Sequence, residues 1–528
     1  MMTAEHFFDY IIIGGGSTGC VLANRLSANR ETRVLLLEAG KTDTEPNIHT
    51  ITTVAKLWGT ELDWQFVSEP QRSLNGRRIN LIQGKVLGGG SSVHAMMYVR
   101  GNKRNFDLWN ALGNEGWSYA DVLPYFKKSE AYAGGRNPFH GIEGPMQVRD
   151  CPNPSPVAIA FINAARELGY AGLPWDFNGA CQENGAGLFQ FNITQDNRRC
   201  SAATAFLTPI LDRPNLTVKT QAFATRLLMQ NNRVTGVEYQ HNGQLYTVNA
   251  TQEVILSAGT FLSPKLLMLS GIGPAEQLRS HHIPVVVDLP GVGQNLQDHL
   301  RLQVIYQSNQ EMPTLEVLAE VGLFTRSRPQ MEAAPPDIQI NFSAGIPELA
   351  PPEFKANGSV SIFVPLLIQP QSRGEVKLRS ANPIDPPRID PRYLHQETDV
   401  KTYIRAIELC RELAHTQAFA DFNTGEVAPG STANLEQYIR QYADTIWHPV
   451  GTCKMGRDAM AVVDPQLRVY GVEGLRIADA SVMPTIPSGN TNASCVMIGE
   501  KAADLILNAH QPGNLRQSHP DLLHLHTI

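Results

Sequence analysis

Cysteine is scarce and poorly placed for cross-linking: Cys20, Cys151, Cys181, Cys200, Cys410, Cys453 and Cys495 are scattered over 528 residues with no C-x-x-C pair. An odd number without motif spacing argues against a disulfide framework or a zinc site and fits a reducing compartment. Long apolar runs are missing too. No segment reaches the roughly 20 consecutive apolar residues of a membrane-spanning helix. The apolar run in MMTAEHFFDYIIIGGG enters a glycine loop after a few residues and lacks the basic region of a secretory signal. A soluble, cytoplasmic protein without a transmembrane segment is the expectation. Basic stripes are absent as well: the net charge is −6, and Arg72, Arg77 and Arg78 read as a solvated loop face, so nucleic acid is not an expected partner. There is no internal repeat or low-complexity segment, and the tail SHPDLLHLH reads as frayed surface rather than a metal tract.

What is present is a globular composition. With 42% hydrophobic residues the chain has ample core material, and single cores stop growing at roughly 250–300 residues, so two or more domains are expected. The 43 glycines and 35 prolines imply many turns and long loops rather than disorder.

The stretch YIIIGGGSTGCVLANRLSANRETRVLLLEAG reads as strand, glycine turn, amphipathic helix and second strand ending in Glu38. Gly14, Gly16 and Gly19 fill G-x-G-x-x-G: the first permits the tight turn, the second lets backbone approach a pyrophosphate, and the third lets helix lie on strand. Ser17 and Thr18 open the helix, whose unpaired N–H groups would face phosphate. Glu38, followed by Ala39, is placed to accept hydrogen bonds from a ribose diol. The pattern predicts a dinucleotide and does not separate NAD from FAD.

A second glycine loop, GKVLGGGSSVHAMMYVRGNKRNFD, spans residues 84–107. Through Gly84, Leu87, Gly88, Gly89, Ser91, His94, Tyr98, Gly101 and Asp107 it resembles the first signature of the glucose–methanol–choline oxidoreductases. GTFLSPKLLMLSGIG, from Gly259 to Gly273, matches the second without a break. The resemblance continues through PGVGQNLQDH (290–299), WHPVGTCKMG (447–456) and the segment 474–506, and is poorest over about 300–365.

The resemblance implies FAD. Gly14, Gly16 and Glu38 would hold its ADP half, with Ala224 near the adenine. Gly88, Gly89, Ser92, His94 and Ala95 would line the flavin, Asp479 and Ala480 would return to the pyrophosphate, and Asn490 and Thr491 would approach the pyrimidine edge. Either of the last two can also cap the helix that runs to about residue 508. Family members with histidine-linked flavin carry that histidine one place before His94, where this chain has Val93, so FAD is expected to bind non-covalently. A one-residue slip would instead put His94 beside the reactive flavin methyl.

A lone histidine is more often packed than catalytic. Metal ligation by His448 with Cys453 is disfavoured, because Pro449 and Gly451 interrupt any helix presenting both and no further ligands cluster nearby; no metal is expected. The resemblance makes His448 the base facing the flavin and Asn492 its partner. Imidazole titrates close enough to neutrality to take the hydroxyl proton of an alcohol as hydride leaves, and an amide can hold the developing alkoxide.

The expected architecture is α/β (α+β overall): a Rossmann-like FAD-binding domain of residues 1–160, 201–305 and 461–528, and a discontinuous substrate domain of 161–200 and 306–460. Alternating patterns in DIQINFSAG (337–345) and SVSIFVPLLIQP (359–370), with GEVKLRS (374–380), predict a mostly antiparallel sheet roofing the flavin. Trp58, Trp64, Phe66, Met96 and Met97 could line an apolar pocket, although such residues are more often core. The implied activity is oxidation of a small primary alcohol to an aldehyde, with oxygen or another acceptor, by an oxidase or a dehydrogenase. Three other readings use the same fold: a hydroxynitrile lyase, a fatty-acid photodecarboxylase and a non-catalytic flavoprotein. The second is disfavoured because its cysteine belongs in the first signature region, and no cysteine lies between Cys20 and Cys151.

Overall fold

The computed structural model describes residues 7–312, 315–345, 354 and 358–509. The histidine-rich tail lies outside them. Two large sheets organise the chain. In the first, the β-branched strand Phe7–Ile13 pairs in parallel with Val34–Leu37 on one side and Gln244–Leu256 on the other, and Leu216–Lys219 extends the parallel edge. All four residues of Val34–Leu37 are buried, as a strand covered on both faces requires.

Gln244–Leu256 has two partners because of its length. Its first half pairs antiparallel with Arg233–His241 across the turn Asn242-Gly243, where both residues have positive φ, +50° and +74°. Two such residues make the twist-matched hairpin turn, and Asn-Gly is its strongest sequence signal. The second half joins the parallel part, where Leu475–Ile477 adds a strand from near the end of the chain. The helix Ser17–Leu26 lies on this sheet and packs against the last helix, Asn492–Ala509.

The second sheet is antiparallel throughout, in the order Asn423–Ala428, Val304–Ser308, Val360–Leu367, Ile338–Ala344, Val321–Thr325, Gly185–Leu188. The short strands Leu300–Arg301 and Asp444–Thr445 attach beside Val360–Leu367. Helices Pro156–Glu167 and Glu397–Ala414 cover one face, where Ile338, Ile340, Phe342 and Phe363 join the core. The opposite face presents Asn341, Ser343, Ile362 and Val364 to a cavity. The segment GEVKLRS stands apart from the roof: Glu375–Lys377 pairs only with Arg388–Asp390 in a separate ribbon. Its alternation identified a strand but carried no information about the partner.

Candidate active site

One continuous cavity runs from the first glycine turn to the antiparallel sheet. At the turn, Gly14 has φ +106°, and a Cβ there would lie 2.3 Å from the Ser257 carbonyl oxygen; a Cβ at Gly19 would lie 1.9 Å from the Gly14 oxygen. Both positions exclude side chains for want of space. Gly16 differs, since a Cβ there would meet nothing nearer than Gly89 at 4.0 Å. Its backbone faces the cavity, at the start of a helix with no side-chain cap and no acid in its first turn. That end is open to an anion. The second loop packs on the first through Gly88 N–H, which donates to the Gly15 oxygen at 2.7 Å.

Glu38 is buried and braces this turn: its carboxylate accepts from Gly15 N and Gly40 N, each at 2.7 Å. Burial pushes its pKa up to about 7 against those bonds. Each oxygen keeps a second acceptor position for a ligand hydroxyl. Asp479 accepts from Gly259 N at 2.9 Å, Ser263 Oγ at 2.5 Å and Ser481 N at 2.8 Å, and burial raises its pKa. Ser17, Thr18, Ala39, Gly89, Ala95, Ala224, Ala480, Asn490 and Thr491 also line the cavity. Gly88 and Ser92 do not; Ser92 Oγ donates to the Leu87 carbonyl at 2.6 Å and so holds the loop's shape.

His94 lies at the cavity's other half. Its Nδ1 accepts from Met96 N at 2.9 Å and lies 3.2 Å from Arg199 Nη1, and burial together with Arg199 lowers its pKa to about 3. A neutral ring with Nδ1 accepting carries its proton on Nε2. That Nε2 is buried without a protein partner, as is Asn490 Oδ1. The cavity therefore offers an unmet donor, an unmet acceptor and an open helix N-terminus, which fits a flavin dinucleotide.

Around His448 the structure adds residues that sequence reasoning missed. The segment 297–301 runs antiparallel to 444–450, and Gln297 and Val450 exchange both backbone bonds. This pairing sets Asp298 and His299 against His448. Asp298 accepts from His448 N at 2.8 Å and from Thr445 Oγ1 and Tyr393 OH, each at 2.6 Å. Burial still raises its pKa to about 6. Trp447, at φ +63°, is held by a 2.7 Å bond from its N–H to Thr445 Oγ1. This is a conformation that non-glycine residues, and bulky ones above all, adopt rarely.

The imidazole of His448 has Nδ1 3.0 Å from His299 Nδ1 and Nε2 3.3 Å from Asn490 Nδ2. His299 is fully buried, and its Nε2 lies 3.1 Å from the Ile368 carbonyl, which can only accept. Burial pushes the His299 pKa well below 6.5 and the His448 pKa down to about 4, so both rings are neutral. His299 must then donate through Nε2 and accept through Nδ1. His448 must carry its proton on Nδ1, leaving the lone pair of Nε2 toward the cavity.

Asn492, the expected partner of His448, lines the cavity but donates to Ser17 Oγ at 2.8 Å and lies beside His94. The amide against His448 is Asn490, two residues earlier. The helix starts at Asn492 and Thr491 sits in the cap position, its carbonyl accepting from Cys495 N at 3.0 Å. The two-residue offset arises because Asn490 precedes the helix while Asn492 belongs to its first turn. Trp58, Trp64, Phe66, Met96 and Met97 all line the cavity, and Phe66, Met96 and Met97 are at the same time buried in the hydrophobic core. Trp58 meets Trp447 at 4.7 Å, whereas Trp64 stacks on Phe66 at 5.7 Å and lies 6.0 Å from Phe223, the neighbour of Ala224. Among the described residues there is no cluster able to hold a metal ion, and no helix is long and apolar enough to cross a membrane.

The chain is similar to proteins of known function. An oxygen-dependent choline dehydrogenase of Sinorhizobium fredii is 40% identical over 94% of this chain and 95% of its own. An alcohol dehydrogenase (acceptor) of Pseudomonas putida is 39% identical over 95% and 96%. The crystal structure of pyridoxine 4-oxidase from Mesorbium loti superposes with a TM-score of 0.89 at 33% identity, covering 96% of this chain and all of that one. The GMC oxidoreductase model matches residues 8–301 with its N-terminal part and 370–499 with its C-terminal part. The unmatched interval, 302–369, holds most of the antiparallel roof, and the glycine turns and His448 fall inside the matched ranges. The chain belongs to the GMC oxidoreductase family and is an FAD-dependent oxidoreductase acting on CH–OH donors.

Proposed function

We propose that the enzyme oxidises a primary alcohol with an apolar or aromatic body to its aldehyde, with His448 as the general base. The observation carrying this is the tautomer of His448: a ring neutral at physiological pH, its Nδ1–H held by His299 and its Nε2 lone pair facing the cavity. Bound FAD supplies the hydride acceptor at flavin N5. The substrate hydroxyl displaces the Asn490 amide from Nε2 and donates there; Nε2 takes the proton as the C–H bond breaks, and the freed Nδ2 donors of Asn490 hold the developing alkoxide. Asn492, bonded to Ser17, steadies the junction between the first glycine turn and the last helix. His448 begins to acquire positive charge in the transition state and keeps it until the proton is released, in a water-poor site where a fixed acceptor is worth most.

FAD is proposed to bind without a covalent link. His94 Nε2 carries a proton in the tautomer set by Met96 and Arg199, so it donates a hydrogen bond and has no lone pair for attack. The cofactor contacts are assigned to Gly14, Gly16, Ser17, Thr18, Glu38, Ala39, Gly89, His94, Ala95, Ala224, Asp479, Ala480, Asn490 and Thr491, while Gly19, Gly88 and Ser92, which do not line the cavity, are assigned the shaping of the two glycine loops. The chain divides into a dinucleotide domain of 1–160, 201–305 and 461–528 and a substrate domain of 161–200 and 306–460; the two separate sheets support the division, and the pairing of Leu300–Arg301 with the roof favours moving one boundary toward 300. A cytoplasmic site of action is part of the proposal, supported by seven free thiols.

The aromatic walls support an apolar or aromatic body. The test is anaerobic: a panel of alcohols is added to the flavoprotein and the flavin absorbance followed before air is readmitted. Bleaching by an alcohol is expected, and the rate of recolouring in air separates oxidase from dehydrogenase. A bound flavin that no alcohol bleaches would remove the alcohol reading.

A further inference from the structure

The charges lining the cavity fall into two groups. Glu38, Asp479 and Lys265 belong to the dinucleotide end: the two acids brace the glycine turn and the start of the helix Gly259–Leu269, and Lys265 Nζ donates to the Pro383 carbonyl at 2.6 Å beside Phe223. At the alcohol end, near His448, the described residues contribute one formal charge to the lining, the guanidinium of Arg301. No carboxylate lines that end among them. Arg301 is fixed in place: Nε donates to the Thr445 carbonyl at 3.2 Å, Nη2 meets Asp444 Oδ2 at 3.1 Å, and the group stands 5.9 Å from the Trp447 ring centroid.

This placement bears on a specific ligand chemistry. A quaternary ammonium has no N–H to donate and is recognised by aromatic faces and a nearby negative charge. Trp447 and Trp58 supply the aromatic surface, but a cation already sits over Trp447, and Asp444, its counter-charge, does not line the cavity. Two like charges over one indole repel in a partly desolvated site. Meanwhile Arg301 keeps N–H groups for an acceptor on the substrate, beside the amides of Gln303 and Asn341 that line the same wall.

We infer that Arg301 is a specificity-determining residue: it excludes quaternary ammonium alcohols of the choline type and selects alcohols whose far end carries no positive charge, despite the 40% identity to choline dehydrogenases. The inference rests on the proposed alcohol oxidation for the location of the substrate end, and its test is a binding measurement that does not require turnover.

Choline and 3,3-dimethylbutan-1-ol have the same shape and differ in charge. Each is titrated into the FAD-loaded enzyme, dissociation constants are read from the perturbation of the flavin absorbance, and the Arg301→Gln variant, which keeps an amide beside Asp444, is treated in the same way. The wild type is expected to bind the neutral isostere at least about tenfold more tightly, and the variant to narrow that preference to within about threefold. The inference is overturned if the wild type shows no preference for the neutral isostere, whether both bind or neither does, or if Arg301→Gln leaves the preference unchanged. Absence of bleaching alongside the expected binding ratios would sink the proposed oxidation and leave the charge selection standing.

Discussion

The two ends of the cavity are built in opposite ways. The dinucleotide end is local: Gly14, Gly16 and Gly19 lie within one strand–turn–helix, Glu38 on the next strand closes the turn, and sterics dictate Gly14 and Gly19. The end around His448 is assembled from three distant segments, with His299, His448 and Asn490 meeting across separations of 149 and 42 residues. The first depends on backbone shape, which leaves Gly14 and Gly19 no room for a substituent. The second depends on proton placement, which tolerates some loss of partners and fails by degrees.

The sharpest way to break the comparison is at the local end. Gly19→Ala places a methyl group 1.9 Å from the Gly14 oxygen, a contact that backbone atoms cannot relieve without moving the turn. Loss of bound flavin is expected, read as the ratio of 450 nm to 280 nm absorbance of the purified protein, a cost on the order of several kcal/mol. Retention of full flavin content would show that the turn is soft.

Next comes His448→Ala. Turnover is expected to fall by about 10²–10⁴-fold with flavin content unchanged, the range of a positioned general base. A variant with near-wild-type turnover would remove His448 from the mechanism.

His299→Ala tests whether tautomer placement matters. Without an acceptor for Nδ1–H, the His448 proton is free to shift to Nε2, and turnover should drop roughly tenfold, about the worth of one buried hydrogen bond. The pH profile separates this from mere loss of packing. The His448 pKa is lowered by burial to about 4, so the ring is neutral above that value and protonated below it. The rate of flavin reduction in the wild type should accordingly fall as pH drops through about 4, well below the 6.5 of an exposed histidine. In His299→Ala, water entering the vacated space lessens the burial and the acid limb should move up toward 6.5. An unmoved limb would mean that His299 fills volume only.

The smallest effect discriminates between the two amides. Asn490→Ala should lower turnover by roughly 3–10-fold and Asn492→Ala by less, because only Asn490 reaches Nε2 and one neutral hydrogen bond is at stake. The reverse order would return Asn492 to the role that its motif position suggested.

Legibility followed the same division. The Asn242-Gly243 hairpin, the glycine turn and two strands of the antiparallel roof, Ile338–Ala344 and Val360–Leu367, could be read from residue order, because turn sterics and alternating burial act over a few neighbours. The ribbon Glu375–Lys377 was recognisable as a strand but not as a separate sheet, since pairing is a tertiary choice. Asp298 and His299 stood in a quoted motif without a role, and no signal within that motif shows that it pairs with residues 444–450.

The sequence by itself determined the glycine turn, the alternating strands of the roof and, through its motifs, the family. These depend on backbone geometry and periodicity, which neighbouring residues impose on one another. The tertiary structure alone decided which nitrogen of His448 carries the proton, which asparagine faces it, and that Arg301 lines the His448 end of the cavity. Hydrogen bonding and electrostatics act over a few ångströms of space, and only the folded chain brings Ile368, His299, His448 and Asn490 within that range.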